Sequence, residues 1–152
     1  MRLTTYTDYS LRVLMHLGLQ QNRLATIGEI SDAYSISANH LMKIIHNLGR
    51  LGYIETTRGR GGGLKLAGRP AEINLGQLVR QVESDFALVD CFDSNQPVTC
   101  AIAPACRLQV VLEKAVQAFL DVLDDYTLAD LLQSPTRLRS LLKIEPAGTK
   151  AG

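Results

Sequence analysis

Three cysteines lie close together in this chain, and their thiols could bind a metal or react covalently. Cys91, Cys100 and Cys106 fall within sixteen consecutive positions. Inert core thiols would be expected in an apolar element, yet these lie in a loop that also holds Asp90 and Asp93. Because three is an odd number, they cannot all pair into disulfides within one chain. The grouping therefore predicts a shared chemical role.

Zinc and an iron-sulfur cluster are the two metal sites to compare. A structural zinc site usually has four ligands, with a Cys-x-x-Cys or a closely spaced histidine pair, and this sequence has neither. The histidines, His16, His40 and His46, all lie in the other half of the chain. An iron-sulfur cluster suits three thiolates in one loop, because another residue can supply its fourth ligand. The sequence favours the cluster.

A second group of residues could bind nucleic acid. The segment Arg58-Gly-Arg-Gly-Gly-Gly63 joins two short strand-like runs, and its arginines, Arg58 and Arg60, suit contacts to phosphate or to the minor groove. A solvated hairpin is the alternative interpretation. A nucleotide-binding loop is disfavoured, because no Gly-Lys-Ser/Thr sequence and no strand-loop-helix order surround the segment.

A polar helix start just before this segment could read DNA bases. The candidate contacts lie in the first two turns, where a recognition helix reaches base edges or phosphates; they are Ser37, Ala38, Asn39, His40 and Lys43. Asparagine can read adenine through two hydrogen bonds, whereas serine and lysine more often contact the phosphates. A polar face that meets only water is the alternative.

The elements that carry these residues follow from hydrophobic spacing and capping signals. Helices are predicted over residues 6–20, 26–34, 37–51 and 73–82, and strands over 53–57 and 64–66. Thr7 or Asp8 would cap the first helix, and Thr26 with Glu29 has the spacing of a capping box. Ser37 would cap the third helix. Two helices joined by a short turn and followed by a basic hairpin predict a winged helix-turn-helix in residues 1–80.

The second half of the chain predicts a loop and a long helix. Helical signals stop over residues 85–104, and the whole segment 81–106 is the predicted cluster loop. A helix over 105–126 carries an apolar heptad seam, which predicts packing against a second copy of the chain; the seam consists of Leu108, Leu112, Ala115, Phe119, Val122 and Tyr126. A short helix over 128–132 follows and completes the dimerisation unit, residues 105–133. A further short helix is predicted over 138–142. Residues 134–152 form a tail that is frayed from Glu145.

Charge and composition support this division. The 152 residues carry a net charge of +1, but residues 1–80 hold ten Lys and Arg against five Asp and Glu, whereas the rest hold six against ten. A basic half suits a polyanion such as DNA. Hydrophobic residues make up 46% of the chain, which excludes a disordered protein. Asp8 and Arg12 interrupt what would be the apolar part of a signal peptide, and no apolar run is long enough to span a membrane. We therefore expect a cytoplasmic protein with reduced thiols.

Several motifs together resemble a known family, the winged-helix iron-sulfur repressors. They are Asp8-Tyr9, the run from Ile36 to Lys43, Gly52-Tyr-Ile54, the glycine-rich hairpin tip and the Cys-x8-Cys-x5-Cys loop. The resemblance extends to about Gln133. The cysteine spacing is similar to that of the nitric-oxide-sensing members. Members that sense iron-sulfur supply have a shorter first gap and a histidine where this chain has Gln109.

The resemblance implies ligation by Cys91, Cys100 and Cys106, with Asp8 of the partner subunit as the fourth ligand. From the residues alone, Asp8 could equally be a helix-capping or first-turn acid, and Asp90, Asp93 and solvent remain competing ligands.

The sequence thus predicts a mainly α-helical protein with a small β-hairpin. Its expected function is a non-enzymatic, homodimeric repressor of nitric oxide detoxification genes that binds a palindromic operator in double-stranded DNA. The expected cofactor is a 4Fe–4S cluster, with 2Fe–2S as the alternative. A regulator that senses redox state or iron-sulfur supply is a second interpretation. A thiol or metal enzyme is a third, although no histidine or second base lies near the cysteines in sequence.

Overall fold

The computed structural model of the protein describes residues 2–92 and 99–144. Within these residues the chain forms seven α-helices and one antiparallel two-stranded sheet. In chain order they are α1 (Thr5–Leu19), α2 (Ile27–Tyr34), α3 (Ala38–Arg50), β1 (Ile54–Thr57), β2 (Gly63–Leu66), α4 (Leu75–Val82), α5 (Arg107–Asp124), α6 (Leu128–Leu131) and α7 (Pro135–Leu141). The predicted fold class, mainly helical with a small hairpin, is confirmed.

Helix α1 begins earlier than the sequence indicated. Its N-cap is Thr4, whose hydroxyl oxygen accepts a hydrogen bond from the backbone N–H of Thr7 at 3.3 Å. The prediction that Thr7 or Asp8 caps the helix is therefore wrong. Thr4 takes the cap position because a distant carboxylate, Glu83, accepts hydrogen bonds from its backbone N–H at 2.9 Å and its hydroxyl at 3.2 Å. Asp8 lies in the first turn, where the helix dipole favours an acid.

Helices α2 and α3 begin at the predicted caps. The Thr26 hydroxyl accepts a hydrogen bond from the backbone of Glu29 at 3.2 Å, and the Glu29 carboxylate accepts one from the backbone of Thr26 at 2.7 Å, which completes the capping box. Ser37 caps α3. The connection between the helices is short because Ser35 adopts a left-handed conformation with φ 53°. Gly52 follows α3 at φ 82°, a conformation that glycine adopts without steric cost.

The core is built on α1, α3 and the hairpin, and α2, α4 and α6 each add buried apolar side chains to it. Its most deeply buried side chains are Val13, Leu14, Leu17, Ile30, Leu41, Ile44, Leu48, Leu64, Leu78 and Leu128. On α3 the buried residues recur at helical spacing, which leaves the opposite face of that helix for solvent or a partner.

The hairpin is fixed to the helices through its second strand. Strands β1 and β2 pair from Ile54 with Leu66 to Thr57 with Gly63. Beyond the sheet, Ala25 and Leu64 exchange two backbone hydrogen bonds of 2.9 Å and 2.8 Å. The turn between α1 and α2 is thereby joined to β2, so the wing and the helix-turn-helix form one unit.

Helix α4 begins two residues after the predicted start. Residues Pro70–Glu72 form a single 3-10 turn, and the side chain of Asn74 then caps α4 by accepting a hydrogen bond from the backbone of Gln77 at 2.9 Å.

Helix α5 begins at Arg107 rather than at Ala105, because Ala103–Ala105 form another 3-10 turn. The far end of α5 is bound to α4. The guanidinium of Arg80 contacts both carboxylate oxygens of Asp124, at 2.6 Å and 2.7 Å.

The C-terminal helices return to α1. Helix α7 begins at Pro135 instead of Leu138, because proline is well suited to the first turn of a helix. Arg139 Nε donates a hydrogen bond to the carbonyl oxygen of Leu19 at 3.0 Å and so satisfies a group at the end of α1. The predicted fraying from Glu145 lies outside the described residues. None of the helices described is both long and apolar enough to span a bilayer.

Candidate nucleic-acid interface and thiol loop

The predicted recognition residues are all exposed at the start of α3. Ser37, Ala38, Asn39, His40 and Lys43 are exposed. The Ser37 hydroxyl oxygen accepts a hydrogen bond from the backbone of His40 at 3.3 Å, so it helps to start the helix as well as facing outward. The polar face can therefore meet a ligand without uncovering the core.

The exposed face of α3 extends beyond the predicted residues. Met42 is 50% exposed, although methionine is usually a core residue. His46 and Arg50 continue the face toward the end of the helix. Helical spacing from Asn39 and Lys43 is the sequence signal that locates them, because residues three or four apart share a face.

The wing presents its two arginines to solvent. Arg58 and Arg60 are exposed, and within the described ranges neither forms an ion pair. Gly59 and Gly61 beside them have φ of 95° and 79°, which a residue with a side chain rarely adopts. Lys65 on the same hairpin is paired with Glu55 at 2.9 Å. The tip is therefore the part of the hairpin whose cations remain available to an anion.

Asp8 is held by its own helix. The Arg12 guanidinium, one turn further along, contacts both carboxylate oxygens of Asp8 at 3.0 Å and 3.1 Å. The Asp8 side chain is 46% exposed. The guanidinium carbon of Arg12 also lies 5.9 Å from the centre of the Tyr34 ring. Asp8 is thus accessible, and another cation that binds its carboxylate would compete with Arg12.

The three cysteines are free thiols on one segment. Cys91 is half-buried in the 3-10 turn Asp90–Phe92, Cys100 is exposed, and Cys106 is half-buried directly before α5. Over residues 2–92 and 99–144, one chain does not gather three or more Cys, His, Asp or Glu side chains in an arrangement that could hold a metal ion. The competing ligand Asp93 lies outside the described residues.

The chemistry of this donor set fits an iron-sulfur cluster. Iron in such clusters prefers thiolate sulfur, and three unpaired thiols stand on one loop. Cys106 also lies at the N-terminus of α5, the end of a helix that favours negative charge. A complete site needs the loop to bring its thiols together and needs a fourth ligand, for which Asp8, Asp90, Asp93 and solvent are the candidates.

The start of the cysteine loop is joined to the start of α1 through Glu83. Burial acts to raise the pKa of Glu83, but hydrogen bonds from Thr4, Thr7 and Ser84 together outweigh it and hold the pKa below its usual value. The carboxylate is therefore charged at neutral pH and links α1 to the end of α4. No sequence pattern indicates this contact, because the partners are 79 positions apart.

Helix α5 exposes an apolar face. The α5 stripe consists of Leu108, Val111, Ala115, Ala118 and Val122, all exposed and spaced by three or four residues. Tyr126, just beyond the helix, is exposed as well.

The other seam residues, Leu112 and Phe119, are half-buried. Phe119 lines a cavity of about 420 Å³ with Leu3 and Phe86 of the same chain. The predicted seam thus divides between an inner and an outer face.

Comparisons with known proteins agree on one family. A family profile described as Rrf2, iron-dependent transcriptional regulator, matches residues 3–134. A protein of Bacillus subtilis strain 168, named HTH-type transcriptional regulator NsrR, is 51% identical over 146 residues, or 95% of this chain and 99% of its own length. A protein of the same name from Geobacillus kaustophilus is 54% identical over 144 residues, covering 94% and 97%. These names indicate a non-enzymatic role.

Solved structures show the same fold. The IscR protein of T. potens matches with a TM-score of 0.68 at 23% identity, covering 88% of this chain and 87% of that one. The global cysteine regulator CymR of B. subtilis matches with a TM-score of 0.64 at 23% identity, covering 86% and 95%.

Proposed function

Since the chain belongs to the Rrf2 family of transcriptional regulators, we propose that it is a homodimeric repressor whose affinity for DNA depends on a nitric-oxide-sensitive iron-sulfur cluster. The observation that carries the proposal is the unused donor set, three free thiols on the loop between the DNA-binding unit and the exposed face of α5. The genes it would control are those for nitric oxide detoxification, and it would act in the cytoplasm with the DNA that it binds.

Cys91, Cys100 and Cys106 are the proposed thiolate ligands, and Asp8 of the partner subunit is the proposed fourth ligand. A carboxylate oxygen binds iron less strongly than a thiolate does, which leaves one iron open to an incoming molecule. When bound, the cluster supplies iron that reacts with nitric oxide. The expected form is 4Fe–4S, with 2Fe–2S as the alternative.

The DNA contacts divide into base reading and phosphate binding. Asn39 would read a base edge in the major groove, while Ser37, Ala38, His40 and Lys43 would contact bases or flanking phosphates. Arg58 and Arg60 reach phosphate or the minor groove. The proposal is supported by the exposure of all these side chains on one rigid unit.

The second copy of the chain would cover the apolar face of α5. Leu108, Ala115, Val122 and Tyr126 of the predicted seam are exposed and available to a partner. Leu112 and Phe119 would support the same interface from their half-buried positions. Two recognition helices would then enter successive major grooves of a palindromic operator, with half-sites about 34 Å apart.

Asp8 connects ligand binding to DNA binding. In the proposed site Asp8 exchanges Arg12 for the partner's iron. This ligation would fix α1 of one subunit against the cysteine loop of the other. When the thiols and Asp8 are released, Asp8 pairs with Arg12 again and the two DNA-binding units lose their fixed spacing. A 100-fold change in operator affinity requires about 2.7 kcal/mol of coupling.

The test uses the full chain prepared without oxygen. We expect brown protein that contains iron and sulfide, retards operator DNA, and releases it when nitric oxide bleaches the visible absorption. Equal operator affinity with and without the cluster would contradict the proposal. If reduction rather than nitric oxide changes the affinity, the redox-sensing alternative holds instead.

The Asp8 assignment has its own test. Asp8→Ala should shorten the lifetime of the visible absorption in air without changing the helical circular dichroism of the cluster-free protein. Asp32→Ala, which removes an exposed carboxylate from α2, is the matched control and should leave the lifetime unchanged. Equal lifetimes for Asp8→Ala and the natural chain would exclude Asp8 as a ligand.

A further inference from the structure

Tyr34 lies where α1, α2 and the entry to the recognition helix meet. It is the last residue of α2 and directly precedes the left-handed Ser35. Its ring has Arg12 on one side, at 5.9 Å from the ring centre, and the edge of His16 on another, with 5.9 Å between the ring centres and 62° between the planes. Arg12 and His16 are one turn apart on α1, so Tyr34 contacts two successive turns of that helix.

The Arg12 guanidinium is shared between Tyr34 and Asp8. It holds the Asp8 carboxylate by two contacts and lies within cation–π distance of the Tyr34 ring. The ring attracts positive charge, so a guanidinium that loses its carboxylate is attracted more strongly to it. Burial raises the pKa of Tyr34 to about 12, although Arg12 opposes this, so the ring that Arg12 meets is a neutral phenol.

The turn after Tyr34 is tightly held, so a change at Tyr34 reaches α3. Ser31 Oγ donates a hydrogen bond to the Ile36 carbonyl oxygen at 2.6 Å, and the Ser31 carbonyl oxygen accepts one from the Ile36 backbone at 3.2 Å. Ile36 is buried, and the next residue, Ser37, caps α3. Two hydrogen bonds therefore join the end of α2 to the start of the recognition helix, and this is the path by which a change at Tyr34 would reach α3.

We propose that Tyr34 is a positioning residue that holds Arg12 more tightly when Asp8 leaves it, and thereby transmits the engagement of Asp8 to the start of the recognition helix. This inference rests on the proposed function, in which Asp8 serves the partner's site. The inference adds a path by which Asp8 affects α3 of its own subunit, through Arg12 and Tyr34. This path acts in addition to the proposed change in the spacing of the two subunits.

The first experiment needs no cluster. Arg12→Met, Tyr34→Leu and their combination are made in the natural chain and in an Asp8→Asn chain, in which the carboxylate is already lost. Urea unfolding then gives the coupling between Arg12 and Tyr34 in each background. We expect the coupling between Arg12 and Tyr34 to be larger in the Asp8→Asn chain. Expressed as a factor in the unfolding equilibrium constant, the increase should be about two- to five-fold, which is the range of an exposed cation–π contact. Equal coupling in both backgrounds would overturn the inference.

A second measurement avoids Arg12→Met and Tyr34→Leu, the two substitutions that remove a packed side chain. The Tyr34 ring shields nearby protons, so the Arg12 side-chain methylene resonances should move upfield in Asp8→Asn relative to the natural chain. Unchanged resonances would also overturn the inference. Tyr34→Phe, which keeps the ring face, should preserve both the displacement and the coupling.

The third experiment measures operator affinity with and without the cluster. Tyr34→Leu should reduce the ratio of the two affinities by about two- to five-fold, whereas Tyr34→Phe should keep it. If the natural chain shows a ratio of one, the proposed function fails and the cluster-free experiment still stands. If the natural chain shows a large ratio and Tyr34→Leu keeps it, the inference about Tyr34 is overturned.

Discussion

His16 is the buried ionisable side chain of α1. It is 1% exposed, and within the described part of the chain neither ring nitrogen has a hydrogen-bond partner. Burial lowers the pKa of His16 from 6.5 to about 4, with Glu29 acting to raise it and Arg23 to lower it. The ring is therefore neutral in the folded protein across the physiological range.

This histidine predicts a loss of stability in mild acid. Because the unfolded chain takes up the proton at a higher pH than the folded one, the contribution of His16 is complete above about pH 6.5 and falls until about pH 4. At about 1.4 kcal/mol per pH unit, the free energy of unfolding should fall by up to about 3 kcal/mol. Urea unfolding of the cluster-free protein at a series of pH values measures this decrease in the free energy of unfolding.

His16→Leu is the control, because leucine is uncharged and of similar size. Its free energy of unfolding should depend less on pH between 6.5 and 4 than that of the natural chain. If the free energy of unfolding changed with pH equally in both proteins, His16 would be excluded as the source of the pH dependence.

At the residue scale, local contacts could be predicted and distant ones could not. The sequence located the Ser37 cap, the capping box at Thr26 and the exposed Asn39, because each depends on neighbours within a few positions. The Thr4 cap depends on Glu83, which is far away in the chain. The contact between Arg12 and Tyr34 likewise joins two helices, and no periodicity encodes it.

At the element scale, the proposed contact between the wing and DNA phosphates can be measured through the salt dependence of operator binding. Arg58→Ala and Arg60→Ala should each weaken operator binding and reduce the slope of log affinity against log salt by about one if the arginine contacts a phosphate. Lys65→Ala is the matched control, because Lys65 is on the same hairpin but is paired with Glu55. A slope reduced equally by all three substitutions would indicate a general charge effect.

The proposed dimer can be tested at the α5 stripe. Val111→Glu and Val122→Glu place a charge within the exposed apolar face, so the protein should sediment as a monomer at micromolar concentration and lose tight operator binding. Gln117→Glu adds the same charge at an exposed position off the stripe and should stay dimeric. Dimers of Val111→Glu and Val122→Glu would show that another surface joins the subunits.

Periodicity alone could not assign the faces of this helix. Leu112 and Phe119 have the heptad spacing of a partner-facing seam, yet both are half-buried, and Phe119 packs toward Leu3 and Phe86. The exposed positions Val111 and Ala118 lie on the neighbouring face. When a helix is apolar on two sides, residues that pack inside the chain and residues that face a partner have the same spacing. Only the position of α4 and of the N-terminal segment shows which face of α5 is covered.

At the scale of the whole molecule, the connection between α4 and α5 joins the DNA-binding unit to the helix that carries the exposed stripe. Gly76 is part of this connection, because a Cβ there would collide with the Asp124 carboxylate and with Arg80. The Asn74 side chain adds a hydrogen bond to the Asp124 carbonyl oxygen at 2.6 Å. The relative placement of the two parts therefore depends on a few groups at one end of α5.

Gly76→Ala should separate Asp124 from Arg80 and loosen the end of α5. We expect faster hydrogen exchange at the α5 backbone amides and weaker operator binding, since the subunits would hold their recognition helices less firmly. Gly28→Ala is the control, because its added Cβ meets an ordinary contact with Thr26. Unchanged exchange in Gly76→Ala would show that α5 is held by other contacts.

The separation of α3 into a buried face and an outer face has a consequence for evolution. Among the described residues, the side chains of Asn39 and Lys43 make no hydrogen bond or ion pair, whereas the opposite face of α3 packs against α1. If the outer face reads the operator as proposed, substitutions there would change which operator sequence is recognised without disturbing the helix that carries Asp8. After gene duplication, one copy could acquire a new set of target genes while it kept the same sensor.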